Sequence, residues 1–160
     1  MLRPTTVALV AVGAATSLGC GEKKAETIPE PKSTAALVRL DRSDGFSFDE
    51  HLVVFNSGKA TVRFRYRPSE KRGTKGFTLS QTKLDDLRTA LEDADFSSLD
   101  SRYSTSEGSE AVAHAVTYAG RKVVADEEAM KGGDVPEDLA HALSLLNELL
   151  DSKLENPRNS

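Results

Sequence analysis

The chain has one cysteine and no tryptophan among its 160 residues. A single cysteine excludes a disulfide-stapled scaffold and any cysteine-rich zinc cluster. No apolar run approaches the ~20 residues that a helix needs to cross a bilayer, which excludes a polytopic helical membrane protein. Positive charge is not in excess: 21 Lys and Arg stand against 25 Asp and Glu, a net charge of −4, which excludes a strongly basic nucleic-acid binder. The local signatures of common enzymes are missing too. There is no GxSxG elbow, Lys131-Gly132-Gly133 runs in the wrong order for a phosphate loop, and no histidines stand at the HExxH spacing. What is present, 38% hydrophobic and 29% charged residues with well-patterned apolar segments, fits one folded domain.

Arg3 is the only charge before Glu22, and an apolar stretch runs from Val7 to Ala15. A short positive start, a brief apolar region and small residues before a cut site are the marks of a secretory signal. The small-residue run ends in Ser17-Leu18-Gly19-Cys20, which resembles a bacterial lipoprotein signal with its leucine one place late. The resemblance implies that 1–19 are removed and that Cys20 becomes a lipid-modified N-terminus, anchoring the chain in the bacterial cell envelope. Gly21 rather than aspartate follows it, which favours the outer membrane over the inner one. An ordinary signal peptide would instead leave Cys20 as a free thiol. Residues 20–35 read as the lipidated Cys20 and a flexible linker, polar with Pro29 and Pro31, whose fifteen residues from Gly21 to Ala35 reach about 21 Å on average. Residues 152–160, polar with Pro157, read as a disordered tail. Between them, 36–151 is long enough to be a single domain with its own core.

Ala36, Val38 and Leu40 alternate with Leu37, Arg39 and Asp41, the period of a strand. Ser43-Asp44-Gly45 is turn chemistry, a second strand runs from Phe46 to Phe55, and Asn56-Ser57-Gly58 turns the chain into a third from Lys59 to Arg67. Gly73 and Gly76 punctuate a basic loop before a short extended piece, Phe77-Thr78-Leu79. Ser80 or Thr82 caps a helix reaching about Ala94, with Leu84, Leu87, Leu91 and Ala94 on one stripe, and Phe96 and Leu99 tuck under the sheet. After a polar loop, Ser104 to Glu110, two strands are expected, Ala111–Tyr118 and Arg121–Ala125, joined at Ala119-Gly120. Asp134, Pro136 and Glu137 supply a capped start to a last helix carrying Leu139, Leu143, Leu146 and Leu150 on one face. The reading is an α+β domain: an antiparallel sheet of about five strands with two helices packed on one face, in the order βββ(β)αββα.

The three histidines form no local ligand set. His114 shares a strand face with Val112, Val116 and Tyr118 and reads as a hydrogen-bonded core or edge residue; His141 points away from the leucine stripe; His51 sits mid-strand beside Asp49 and Glu50. Asp126 and Glu137 have the spacing of the first and last ligands of a calcium loop, but Met130 and Lys131 stand where a ligand and the turn glycine belong. No catalytic residue, metal site or cofactor is assigned, and the chain reads as non-enzymatic. The distinctive feature is electrostatic. Lys59, Arg63, Arg65, Arg67, Lys71, Arg72 and Lys75 face only Glu70 between positions 59 and 76. Arg63, Arg65 and Arg67 alternate with Val62, Phe64 and Tyr66, so three guanidiniums are expected on one strand face and the apolar trio on the core side. Such a surface is either a solvated sheet face or a docking face for an acidic partner or an anionic envelope surface. Nucleic acid is not an expected partner outside the cytoplasm.

Three stretches resemble emfourin-type domains, protein inhibitors of thermolysin-like metalloproteases: Arg42-Ser43-Asp44-Gly45-Phe46, Leu87 to Leu99 (LRTALEDADFSSL), and the closing leucine-rich helix. Asp44 stands where that family has glycine, and Ser69–Lys75 reads as an insertion. The resemblance implies a small α+β fold and a rigid turn, Asp44-Gly45-Phe46, that occupies a protease cleft without being processed. The alternative is that Gly45 and Phe46 merely make a turn and a core contact.

Overall fold

A computed structural model describes residues 35–105 and 111–154. The expected signal segment 1–19, Cys20, the linker up to 34, the loop 106–110 and the tail from 155 onward lie outside the described residues. The first four strands form a meander: β1 (Ala36–Ser43), β2 (Phe48–Phe55), β3 (Lys59–Tyr66) and β4 (Lys71–Thr78). Helix α1 (Gln81–Asp93) and the segment after it carry the chain to the opposite edge of the sheet, where β5 (Arg102–Tyr103) lies. The hairpin β6 (Ala113–Tyr118) and β7 (Arg121–Asp126) fills the gap, and α2 (Glu127–Gly132) and α3 (Glu137–Asp151) follow. The strand order is β4-β3-β2-β1-β6-β7-β5, with β1 in the middle. Every pairing is antiparallel except β5 with β7.

Strand alternation sorts the side chains onto two faces. Val38, Leu40, Leu52, Val54, Val62, Val116 and Val123 point to one, where α1 and α3 pack against each other and the sheet. Both expected helical stripes are buried there: Leu84, Leu87, Leu91 and Ala94 from α1, and Leu139, Leu143, Leu146 and Leu150 from α3. Each such leucine contributes about 1.5–3 kcal/mol of transfer free energy. Phe96 and Leu99 are buried as expected, and Phe96 meets Tyr118 edge-on at 5.3 Å between centroids. Ser80 caps α1 through the Lys83 N–H. The Ala119-Gly120 turn joins β6 to β7 with both residues at positive φ, 50° and 80°, the two-residue geometry that matches strand twist.

The α+β class holds, but the architecture is richer than five antiparallel strands and two helices. Among the described residues the sheet has seven strands and is mixed, and there are three helices. The stretch expected as a basic loop is the greater part of β4. Gly73 is accommodated because Phe64 lies directly opposite it and spreads its ring over the space a side chain would take. β5 has only two residues, too few to show a period. The short α2 begins at Asp126, whose carboxylate accepts from the Ala129 N–H at 2.7 Å, and closes at Gly133 in the left-handed region. Helix α3 starts at Pro136 with no side-chain cap, so Asp134 does not play the role expected of it. At the start of the expected tail, Leu154 packs against the core and the Lys153 ammonium sits 4.9 Å from the centre of the Phe77 ring.

A methyl group at Gly73 would come within 2.6 Å of Phe64 Cζ. Gly73→Ala should therefore lower stability by about 1–3 kcal/mol in urea unfolding, the usual cost of overpacking. Gly76→Ala, whose added carbon would have its nearest neighbour at 4.0 Å, should cost clearly less.

Candidate functional site

The turn between β1 and β2 is built around one carboxylate. Asp44 Oδ1 accepts hydrogen bonds from the backbone N–H groups of Phe46 (2.9 Å), Ser47 (2.7 Å) and Phe48 (3.1 Å). Slight burial works against its ionisation, but these donors outweigh that and hold its pKa down at about 2. Gly45 takes a φ of 79°, where a side chain would be strained, and its N–H donates to Ser43 Oγ at 2.9 Å. The outside of the turn is clamped by Arg67, whose Nη1 donates to the carbonyls of Gly45 (2.7 Å) and Phe46 (2.8 Å) and whose Nη2 pairs with Asp49 at 2.7 Å. At the tip, Phe46 is 68% exposed, the one large hydrophobic side chain among the described residues to be so. This corrects the alternative of a core contact: Phe46 makes none.

Beneath the turn lies a buried ionic cluster on the helix-covered face. Arg42 is 6% exposed; its Nε donates to Glu50 Oε2 at 2.6 Å, Nη1 to Asn147 Oδ1 at 3.2 Å, and Nη2 to Asp151 Oδ1 at 2.5 Å. Burial opposes the charge on Arg42, but the hydrogen bonds and charges of Asp151 and Glu50 prevail and its pKa is raised. Glu50, 3% exposed, also accepts from the Tyr66 hydroxyl at 2.7 Å. His114 stands opposite Arg42 on β6 and is likewise buried. As expected of a core histidine it has a hydrogen bond, to the Asn147 side chain, although its Nδ1 has no partner among the described residues. Burial, then the charge of Arg42, pushes its pKa down to about 4. The cluster escaped the sequence reading, although a signal existed. Arg42 shares the parity of Val38 and Leu40, and Glu50 that of Leu52 and Val54, so opposite charges sit at core positions of adjoining strands.

The basic stretch does not form one patch. Arg63 and Arg65 are exposed on the sheet face opposite the helices, and Arg72 stands across from Arg65 on the same side. Lys71 and Lys75 pair in register with Tyr66 and Val62, on the helix-covered side, and Arg67 belongs to the turn. The open face adds Arg39 and a pair joining strands, His51 Nδ1 to Asp41 Oδ1 at 2.7 Å, so the partner of His51 is neither Asp49 nor Glu50. A shallow depression there is lined by Arg39, Asp41, His51, Val53, Thr61 and Arg63. His141 is exposed. Among the described residues no group of three or more His, Cys, Asp or Glu side chains could hold a metal ion. The turn thus presents a fixed apolar tip in a polar collar, beside a charged sheet face.

Because the folded state binds the His114 proton more weakly than the unfolded chain, its contribution is fully present above about pH 6.5 and is lost as pH falls toward 4. The loss amounts to about 3 kcal/mol at most. Urea unfolding at pH 7 and pH 4.5 should show His114→Phe losing less stability on acidification than the parent chain. No protein-family model and no curated protein sequence matches this chain.

Proposed function

We propose that this chain is a non-enzymatic, macromolecule-binding domain carried on the bacterial envelope by a lipid at Cys20, and that its Asp44-Gly45-Phe46 turn inhibits a thermolysin-like metalloprotease. The observation that carries the reading is the exposure of Phe46 on a turn that Asp44 and Arg67 hold from both sides. Burying an aromatic anchor yields most when neither partner must order itself first. A turn this constrained also resists the extended conformation that a protease needs in order to cut it. Asp44, the departure from the emfourin-type pattern, supplies the carboxylate that fixes the turn. The lipid reading rests on the Ser17–Cys20 pattern and on the single cysteine.

The full chain, titrated against a thermolysin-like metalloprotease, should remove activity stoichiometrically and remain intact. Phe46→Ala should weaken inhibition roughly 30-fold, as loss of a central aromatic anchor does. Undiminished protease activity at micromolar chain, or cleavage of the chain, rejects this reading. For the anchor, Cys20→Ala should move the protein from the membrane fraction to the soluble fraction after a high-salt wash. Quantitative retention in the membrane would contradict lipidation.

A further inference from the structure

We infer that the open face of the sheet lies against an anionic phospholipid bilayer, held by the guanidinium groups of Arg39, Arg63, Arg65 and Arg72. The inference goes beyond protease binding and uses none of the turn residues. All four arginines are exposed, and by strand register all four share the face that α1 and α3 leave uncovered. Among the described residues none of them has a carboxylate in ion-pair range. The acids of the same face are already engaged: Asp41 with His51, and Asp49 with Arg67 and Ser43. Arg65 and Arg72 are direct cross-strand partners, a like-charge pair that costs the sheet stability in isolation. An external negative charge between them turns that cost into a gain.

The arrangement points to a surface rather than to a small ligand or a single acidic segment. Neighbouring strands lie ~4.8 Å apart and same-face residues repeat every ~6.6 Å along a strand. Arg63 and Arg65 are one such repeat apart on β3, Arg72 is one strand beyond, and Arg39 is two strands back across β2. The four charges thus form a two-dimensional array on a broad sheet face, whereas one acidic strand or helix would follow a single row. Lys59 and Lys122 extend the same face, while exposed acids such as Asp86, Glu92, Asp138 and Glu148 lie on the helical side. This charge polarity orients the domain sheet-first toward a negative surface.

The test is vesicle partitioning of the full chain bearing Cys20→Ser, so that no lipid contributes. The readout is the ratio of binding to equimolar phosphatidylglycerol–phosphatidylcholine vesicles over pure phosphatidylcholine vesicles, which cancels any charge-independent contribution of the N-terminal segment. The ratio should be large at low salt and fall as salt shortens the Debye length. Changing Arg63, Arg65 and Arg72 together to Ser should cut it roughly 100-fold, since each basic side chain at an anionic surface contributes about a factor of five. The corresponding triple change to Lys should keep it, because docking to a lipid surface needs charge rather than a guanidinium fork. A ratio near one for the parent chain, an unchanged ratio in the Ser variant, or a loss in the Lys variant equal to that in the Ser variant would each overturn the inference. Tight binding to poly-glutamate without a vesicle preference would also overturn it and assign the face to acidic proteins. No protease enters the experiment, so its failure is separate from failure of the inhibitor reading.

Discussion

The guanidinium of Arg42 is the point on which the rest of this fold is hung. It issues from the central strand, reaches Glu50 on β2 and binds both Asn147 and Asp151 on α3. Through Glu50 it engages Tyr66 on β3. One side chain thereby ties three strands to the closing helix. A buried charge of this kind is costly to desolvate, and its partners must be complete if it is to be tolerated. Here Arg42 has a partner for Nε, Nη1 and Nη2, and each Glu50 oxygen has a donor. A shift of β1 by one residue would send the charge to the open face and an aspartate or serine to the core. The cluster thus favours a single register. The β1–β2 turn sits on this pinned pair, so the orientation of Phe46 follows from it.

His114 takes the remaining place in that row, between Ala125 and Arg42. Burial disfavours a charge on its ring and the neighbouring guanidinium would repel one, so the imidazole stays neutral at ordinary pH. The row Ala125–His114–Arg42–Glu50–Phe64–Gly73 runs across six strands and passes from small residue to charge to aromatic to glycine. Its two ends are apolar and its middle is ionic. Beside it, the row Val123–Val116–Leu40–Leu52–Val62 is apolar across five strands and meets a charge only at Lys75 on the edge strand β4. Stability from hydrocarbon and specificity from charge are therefore separated by one strand repeat.

Much of this was legible in the order of residues. The alternation in β1 to β3, the leucine stripes of α1 and α3, and the Ala119-Gly120 hairpin each follow from local pattern, and the structure places them as expected. β4 was not legible, because KRGTKGFT has two glycines and three basic residues where strand formers usually stand. It is held instead by a neighbour, Phe64, and by its place at an edge, where basic side chains discourage further pairing. Asp44 and Gly45 announced a turn on their own. That Arg67 would clamp it, from 21 and 22 positions away, depends on the β2–β3 register and has no local signature. For the same reason the seven basic residues read as one cluster in sequence, yet divide among two faces and a turn in space.

The position of β1 has a mechanical consequence. Any pull on the N-terminal segment enters the fold at Ala36, the first residue of the middle strand of seven. That strand is hydrogen-bonded to β2 on one side and β6 on the other, and Arg42 near its far end is bolted to α3. A load along β1 must therefore shear two ladders at once rather than unzip an edge one bond at a time. Tension transmitted through a tether would reach the Phe46 turn only after a strand hydrogen-bonded along both sides had given way.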